Sequence, residues 1–466
     1  MIQRLAAGCL LPGFAGLDAP DWLRRRLSDG LDGAVLFARN VRDPEQLAGL
    51  TSALRAERPD VVVATDEEGG DVTRLEVERG SSYPGNRALG VVDDPGLTER
   101  VAAAIGADLR VVGVNVNLAP VADIASNPDS PVIGVRSFGP EPELVARHVA
   151  AFVAGLQGAG VAACAKHFPG HGATAGDSHL DLPTLDRDRD ALLAEELVPF
   201  RAAVEAGVRA IMTAHILVPA LAGAPATVSR ELLTGLLREE LGFDGLVVTD
   251  ALEMRAISGT IGVEEGAVQA LAAGADALCL GHDLGDEACE RIVRAVVEAV
   301  RAGRLAEERL AEAADRVAAT GRWGPAAAAP VDRAAGSEAA RRALRVEGRV
   351  ELTRPPFVLE LRGDVNIAAG PARHGLGDLL HGAEVVRLDG PRELAVPPDR
   401  QVVVVVRDVH RHRWQQDVVS ALVDPVVVET GVPAWRPTGA AGYIATHGGG
   451  RVNLEAAAGV LQQAAT

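Results

Sequence analysis

The chain reads as α/β, a (β/α)8 TIM barrel followed by a smaller α/β sandwich domain. Three observations predict this. Short apolar runs alternate with amphipathic helical stretches, the runs lack period-2 alternation, and several of them end in a polar residue. Runs without alternation fit strands buried on both faces, as in a parallel sheet. Polar groups at the C-terminal ends of such strands would line one mouth, where barrels of this kind place their chemistry.

In order, the eight runs are Arg4–Leu11, Gly33–Ala38, Val61–Asp66, Gly113–Asn117, Val161–Lys166, Arg209–Thr213, Gly245–Asp250 and Ala275–Leu280. The helices between them are rich in Ala, Leu, Glu and Arg, for example Asp190–Ala206 and Glu287–Ala302. The polar run ends are Asp66, Lys166-His167, His215 and Asp250, with Asp123 following the fourth run. A linker rich in Gly, Pro and Ala is expected over residues 323–337, between a barrel domain at 1–322 and a second domain at 338–466. In the second domain, strands are expected at Phe357–Leu361, Val385–Leu388, Gln401–Val406, Val426–Glu429 and Gly442–Thr446, with a closing helix at Asn453–Gln463. Its His410, His412, Trp414 and Trp435 read either as packing and loop residues or as a binding face.

A length of 466 residues suits two domains, and 48% hydrophobic residues supply a sizeable core. The formal net charge of −18 argues against nucleic acid and anionic membrane as partners. Cys9, Cys164, Cys279 and Cys289 show neither metal-like nor disulfide-like spacing and read as buried free thiols. No run of apolar residues is long enough to span a bilayer. Too few residues precede Cys9 for a secretory signal. The expected compartment is the cytoplasm.

The densest chemistry lies in Lys166-His-Phe-Pro-Gly-His-Gly-Ala-Thr-Ala-Gly-Asp-Ser-His179. Lys166 is the only lysine in the chain, which suggests a site where a compact ammonium fits and a planar guanidinium does not. Three readings of the loop compete. His167 and His171 would hold a metal on one helix face, but Pro169 bars that helix. The histidines would instead bond backbone groups. Or Asp177-Ser-His179 forms an acid/base pair, the carboxylate fixing one ring N–H and raising the basicity of the other nitrogen. Asp250, at the end of a buried strand, needs partners. It reads as a salt-bridge partner of an arginine or as a nucleophile.

Together these residues resemble glycoside hydrolase family 3, in particular its β-N-acetylglucosaminidases. The matching segments are Asp66-Glu-Glu-Gly-Gly70 with Arg74-Leu75, Leu118–Asp123, Pro131–Gly139, Lys166–Gly172 with Asp177-Ser-His179, and Val248-Thr-Asp-Ala-Leu252. The resemblance covers the whole barrel in order. It implies a retaining reaction on terminal β-linked N-acetylhexosamines, such as cell-wall muropeptide fragments. Asp250 would be the nucleophile, His179 the acid/base and Asp177 its orienting partner. Asp66, Arg74, Arg136, Lys166 and His167 would hold the sugar, with His215 also at the mouth. No metal or organic cofactor is implied. The partner is a small carbohydrate, and the oligomeric state is left open.

Because a neutral imidazole does not repel an anion, phosphorolysis of the same bond is an alternative. A β-glucosidase of the same family and a non-catalytic sugar-binding protein are others. The chain departs from the family in having Glu67 for Gln and Asp71 for Arg, which places added negative charge near Asp66 at the expected pocket rim.

Overall fold

The computed structural model describes residues 1–463 apart from 175, 179, 282–283, 325–330, 364–365, 371–373 and 393–394. Eight short parallel strands build the first domain: β1 (Leu10–Pro12), β2 (Gly33–Leu36), β3 (Val62–Thr65), β4 (Val116–Asn117), β5 (Ala162–Phe168), β6 (Ala210–Thr213), β7 (Leu246–Thr249) and β8 (Leu278–Leu280). Strands β2 to β7 pair in chain order, β8 pairs with β1, and a parallel bridge from Val248 to Ala277 joins β7 to β8. Strand β1 lies close against β2, where a Cβ on Gly33 would fall 2.2 Å from Leu11 Cδ2. A side chain at residue 33 would push the two strands apart. The result is a TIM-like barrel.

Two core layers explain why the runs do not alternate in polarity. Val62, Ala64, Val116, Ala162, Cys164, Ala210, Met212, Val248 and Cys279 fill the barrel interior. Their chain neighbours Val61, Val63, Ala163, Ala165, Ile211 and Val247 face the surrounding helices. Both faces are dry, so both must be apolar.

Two local expectations are corrected. The first run is not a strand from Arg4: Ile2–Gly8 is a helix, and only Leu10–Pro12 joins the sheet. Leu5, Ala6 and Ala7 are good helix formers, and the helix covers the barrel with Ala6 buried. The stretch Asp190–Ala206 is not one regular helix. A π turn at Leu192–Glu196 precedes an α-helix at Val198–Glu205. Pro199 has no N–H to donate and its ring would crowd the carbonyl of Glu195, which accounts for the irregular turn.

The segment from Trp323 is already helical again at Ala335–Ala343. Ala335 and Ala339 of that helix belong to the barrel's core cluster. The second sheet contains β9 (Arg345–Gly348), β10 (Pro356–Leu361), β11 (Glu384–Leu388), β12 (Gln401–Val406), β13 (Val426–Glu429) and β14 (Gly442–Ala445), in the order β11-β10-β12-β13-β14-β9. All pairings are parallel except that of β14 with β9. Separate apolar clusters cover the two faces of the sheet, and Trp414 and Trp435 pack against one of them. The closing helix runs Arg451–Gln462.

Candidate active site

The C-terminal ends of the strands converge on one mouth. β3 runs into Asp66, β5 carries Lys166 and His167, and β7 runs into Asp250. Cys164 inside the barrel reports on this end: burial pushes its thiol up to about 12, Lys166 opposes the shift, and Asp66 and Asp250 add to it.

The lone lysine is clamped by two carboxylates. Lys166 Nζ lies 2.6 Å from Asp66 Oδ1 and 2.8 Å from Glu68 Oε1. Glu68 also takes the fork of Arg136, Nη2 at 2.7 Å and Nε at 2.9 Å. Arg74 Nη2 stands 3.6 Å from Asp66 Oδ2. Burial opposes the charged form of Glu68, but Arg136 and Lys166 outweigh it and hold the carboxyl well below its usual range. Lys166 is likewise held above its ordinary value by Asp66 and Glu68, against burial. Four of the expected sugar-holding residues, Asp66, Arg74, Arg136 and Lys166, therefore form one network. Glu68, which sequence reasoning gave no role, is its hub. The available signal was a third consecutive acid, two positions after Asp66, leading into a Gly-Gly turn.

His167 belongs to a second group. Asp123 is fully buried and accepts from His167 Nδ1 at 2.7 Å, from the His167 backbone N–H at 3.1 Å and from that of His171 at 2.7 Å. Burial works against the Asp123 carboxylate, yet His167 and these bonds keep it below its ordinary range. The bond to Asp123 fixes the Nδ1–H tautomer of His167 when the ring is neutral.

His171 is a structural latch, but its ring bonds side-chain hydroxyls and not the backbone groups that the second reading of the loop expected. Thr174 Oγ1 donates to the His171 carbonyl at 2.8 Å, so it accepts from His171 Nδ1 at 2.6 Å. His171 Nε2 then accepts from Ser178 Oγ at 3.2 Å. Burial holds His171 below its usual range, consistent with a neutral ring. A Cβ on Gly172 would meet the Ile124 carbonyl oxygen at 1.8 Å, so glycine is needed for the loop to pass.

The latch positions Asp177. Ser178 is held on one side by His171 and on the other by the Ala256 N–H, which donates to its carbonyl at 3.3 Å. Ala256 follows β7, so the loop carrying Asp177 is tied to the segment that follows Asp250. His179 lies outside the described residues. Asp250 accepts from the Ala251 N–H at 2.8 Å.

His215 lies beside the backbone that follows Asp250. It is wholly buried, with Nδ1 2.7 Å from Thr227 Oγ1 and Nε2 donating to the Ala251 carbonyl at 3.1 Å. It braces the backbone next to Asp250.

The two departures from the family pattern leave the rim. Glu67 is buried, and its Oε2 accepts from the backbone N–H groups of Arg74 at 2.7 Å and Leu75 at 3.0 Å. Burial pushes its carboxyl up to about 7. Asp71 points to the second domain, pairing with Arg407 Nη2 at 2.8 Å and accepting from the Gly449 N–H at 2.8 Å. Three further contacts join the domains here. Arg74 Nη2 donates to the Ala368 carbonyl at 2.9 Å, and Asn366 Nδ2 to the Val132 carbonyl at 2.9 Å. His410 donates from Nε2 to the Pro128 carbonyl at 3.0 Å.

The barrel domain matches a known family. The model of the glycosyl hydrolase family 3 N-terminal domain covers residues 21–320. The chain belongs to glycosyl hydrolase family 3. Among related proteins, β-hexosaminidase A of Pseudoalteromonas piscicida is 37% identical over 314 residues. That match takes in 62% of this chain and 52% of the relative, so the chain spans about half of that protein's length. A β-hexosaminidase of Thiobacillus denitrificans is 39% identical over 298 residues, covering 62% of this chain and 82% of the relative. Among solved structures, a family 3 β-N-acetylglucosaminidase from Paenibacillus sp. str. FPU-7 superposes with a TM-score of 0.88 at 34% identity, covering 100% of this chain and 97% of the other. The likeness to that family 3 member therefore extends over both domains.

Proposed function

We propose that this family 3 protein is a retaining glycosidase that hydrolyses terminal β-linked N-acetyl-D-hexosamine residues from small carbohydrates, cell-wall muropeptide fragments among them. The observation that carries the reading is the tie between the latched Asp177 loop and the segment that follows Asp250, together with the Lys166–Asp66–Glu68–Arg136 network at the barrel mouth. Relatives named β-hexosaminidase support the substrate class.

In the first step an Asp250 carboxylate oxygen bonds to the anomeric carbon. The bond to the leaving oxygen breaks, and that oxygen takes a proton from His179. In the second step water attacks the same carbon, its proton returns to His179, and the Asp250 carboxylate is released. Asp177 orients His179 and favours its protonated form. Asp66, Arg74 and Lys166 hold sugar hydroxyls, while Glu68 and Asp123 hold Lys166, Arg136 and His167 in place. The four buried free thiols support a reducing compartment, the cytoplasm. Among the described residues no helix is long and apolar enough to cross a membrane.

The test is turnover of an aryl β-N-acetylglucosaminide beside the matching β-glucoside, with and without phosphate. Preference for the acetamido sugar, with free sugar released in either buffer, is expected. A sugar 1-phosphate formed only with phosphate would reassign the chain as a phosphorylase, and inertness toward both sugars would remove the enzymatic reading.

A further inference from the structure

The second domain holds a cavity that the hydrolytic reaction does not use. In its sheet, β11 lies on one side of β10 and β12 on the other, so the order of winding reverses between β10 and β12. Open parallel sheets bind ligands in the crevice beyond the C-terminal strand ends at such a point. A cavity of about 390 Å³ sits there, bounded by Arg362 and Gly363 after β10, Arg407 after β12 and Thr430 after β13. That volume suits a small organic ligand. The barrel closes one side with Asp71, from the hairpin that follows β3.

The lining selects the ligand's chemistry. Asp71, Glu360, Asp389, Arg362, Arg407 and His374 line the cavity; Asp71 pairs with Arg407 and Glu360 with Arg387, so the guanidinium groups give the wall no excess of positive charge. A phosphate or carboxylate would meet repulsion as well as attraction. Hydroxyl groups donate to carboxylates and accept from guanidinium groups, and so suit both. The remaining wall is largely aliphatic, including Val405, and offers contact to the faces of a ring. We propose that this cavity is a second binding site for an uncharged polyhydroxylated ring, a saccharide of one or two rings.

Occupancy there would reach the catalytic mouth. Asn366 and Ala369 line the cavity, and between them the Ala368 carbonyl accepts from Arg74, which stands 3.6 Å from Asp66. A ligand that orders this loop also orders Arg74.

Binding at this site stands whether or not Asp250 turns over a hexosaminide, so the test reads binding and not activity. The full chain carrying Asp66→Ala, which weakens the mouth, is titrated with N-acetylglucosamine and with glucose. Hydrogen exchange is followed in peptides covering Asn366–Gly370 and His374–Leu376. Saturable slowing in these peptides is expected with at least one of the two sugars. Slowing confined to mouth peptides, or no saturable slowing anywhere, overturns the proposal. Val405→Trp, which fills the cavity, is expected to abolish the slowing while turnover of the aryl glycoside persists. Slowing that survives a folded Val405→Trp also overturns it. Should that variant misfold, the location of slowing in the Asp66→Ala and unaltered chains decides.

Discussion

The barrel carries a buried ion network at each end, and the two are built differently. At the N-terminal end, Asp276 precedes β8 and is wholly buried. It pairs with Arg238 at 2.5 Å, with Arg316 at 3.2 Å and with Arg309, and it also accepts from the Val247 N–H at 2.9 Å. One carboxylate thus gathers arginines from the helical stretches Glu231–Glu240 and Glu307–Arg322 onto a strand. At the C-terminal end, two acids and three cations come from loops and strand ends, and one of the cations is the chain's single lysine. Asp66 there keeps 17% of its side chain exposed, while Asp276 keeps none. The N-terminal network has both carboxylate oxygens occupied by the protein itself. The C-terminal one leaves groups facing the mouth. Buried charge by itself therefore does not mark a functional site; the two networks differ in their carboxylates, Asp276 being sealed beneath arginines that are themselves partly exposed, and Asp66 opening to the mouth.

The sharpest way to break this contrast is to substitute one residue from each end. Asp250→Asn is expected to lower kcat by about 10⁴-fold or more with the fold intact. Retained turnover, measured beside the circular dichroism spectrum, would sink the nucleophile assignment. Asp276→Ala should do the opposite. It leaves Arg238, Arg309 and Arg316 without their shared carboxylate and should cost about 3–5 kcal/mol of stability. Activity per folded molecule, measured below the new Tm, should be unchanged. A Tm preserved in Asp276→Ala, or kcat lost without unfolding, would erase the distinction between the two ends.

Glu67 sharpens the comparison through pH. Its folded pKa of about 7 lies above the ordinary 4.5, so between those values the folded chain binds more protons at this site than the unfolded chain. Stability from this group is fully present below pH 4.5 and is lost as pH rises through 7. The loss above pH 7 is about 3 kcal/mol by linkage. Glu67→Gln keeps an oxygen for the Arg74 and Leu75 N–H groups and removes the titration. It should raise Tm at pH 8 and change little at pH 5, as read by thermal melts at both pH values. An equal shift at the two would show that Glu67 does not titrate in this window.

Much of this was legible in the sequence, for physical reasons. Strands buried on both faces leave unbroken apolar runs, and five of the eight expected runs match a barrel strand nearly as read, while β4 and β8 take up only the ends of Gly113–Asn117 and Ala275–Leu280. The run at Arg4–Leu11 misled because the small apolar residues Leu5, Ala6 and Ala7 serve a helix against the barrel as well as a strand inside it. Strand β9 left no apolar pattern, since all four of its residues are exposed at a sheet edge. The mouth residues were visible as polar groups closing apolar runs. Their partners were less so: Glu68 lies 98 positions from Lys166 and is joined to it only by folding. The bonds of His215 to Thr227 and Ala251 were not legible, because a strand end shows a residue's depth along the barrel, not which way its ring turns.

A milder substitution asks how exact the mouth must be. Lys166→Arg keeps the charge but puts a planar fork between Asp66 and Glu68, where Arg136 already occupies one side. A fall of roughly 30-fold in kcat/KM is expected, with Tm little changed. Unchanged kinetics would mean that any cation serves and that the lone lysine carries no chemical information.

The smallest effect tests whether the second domain belongs to the mouth. Asp71 joins the hairpin after β3 to Arg407, and Glu68 lies in the same hairpin, three residues earlier. Asp71→Asn retains an acceptor for the Gly449 N–H but loses the ion pair. Arg407 still has Asp408 at 3.6 Å, so the cost should stay below the about 3–5 kcal/mol of a buried charge left alone. If the pair merely glues two domains, Tm drops slightly and KM stays put. If it also steadies the hairpin, KM should rise by about two- to threefold while kcat holds, because Glu68 sets the position of Lys166 and Arg136 but takes no part in bond breaking. A KM change that disappears when Arg407→Ala is added to Asp71→Asn, relative to Arg407→Ala alone, would assign the effect to this pair and to nothing else in the hairpin.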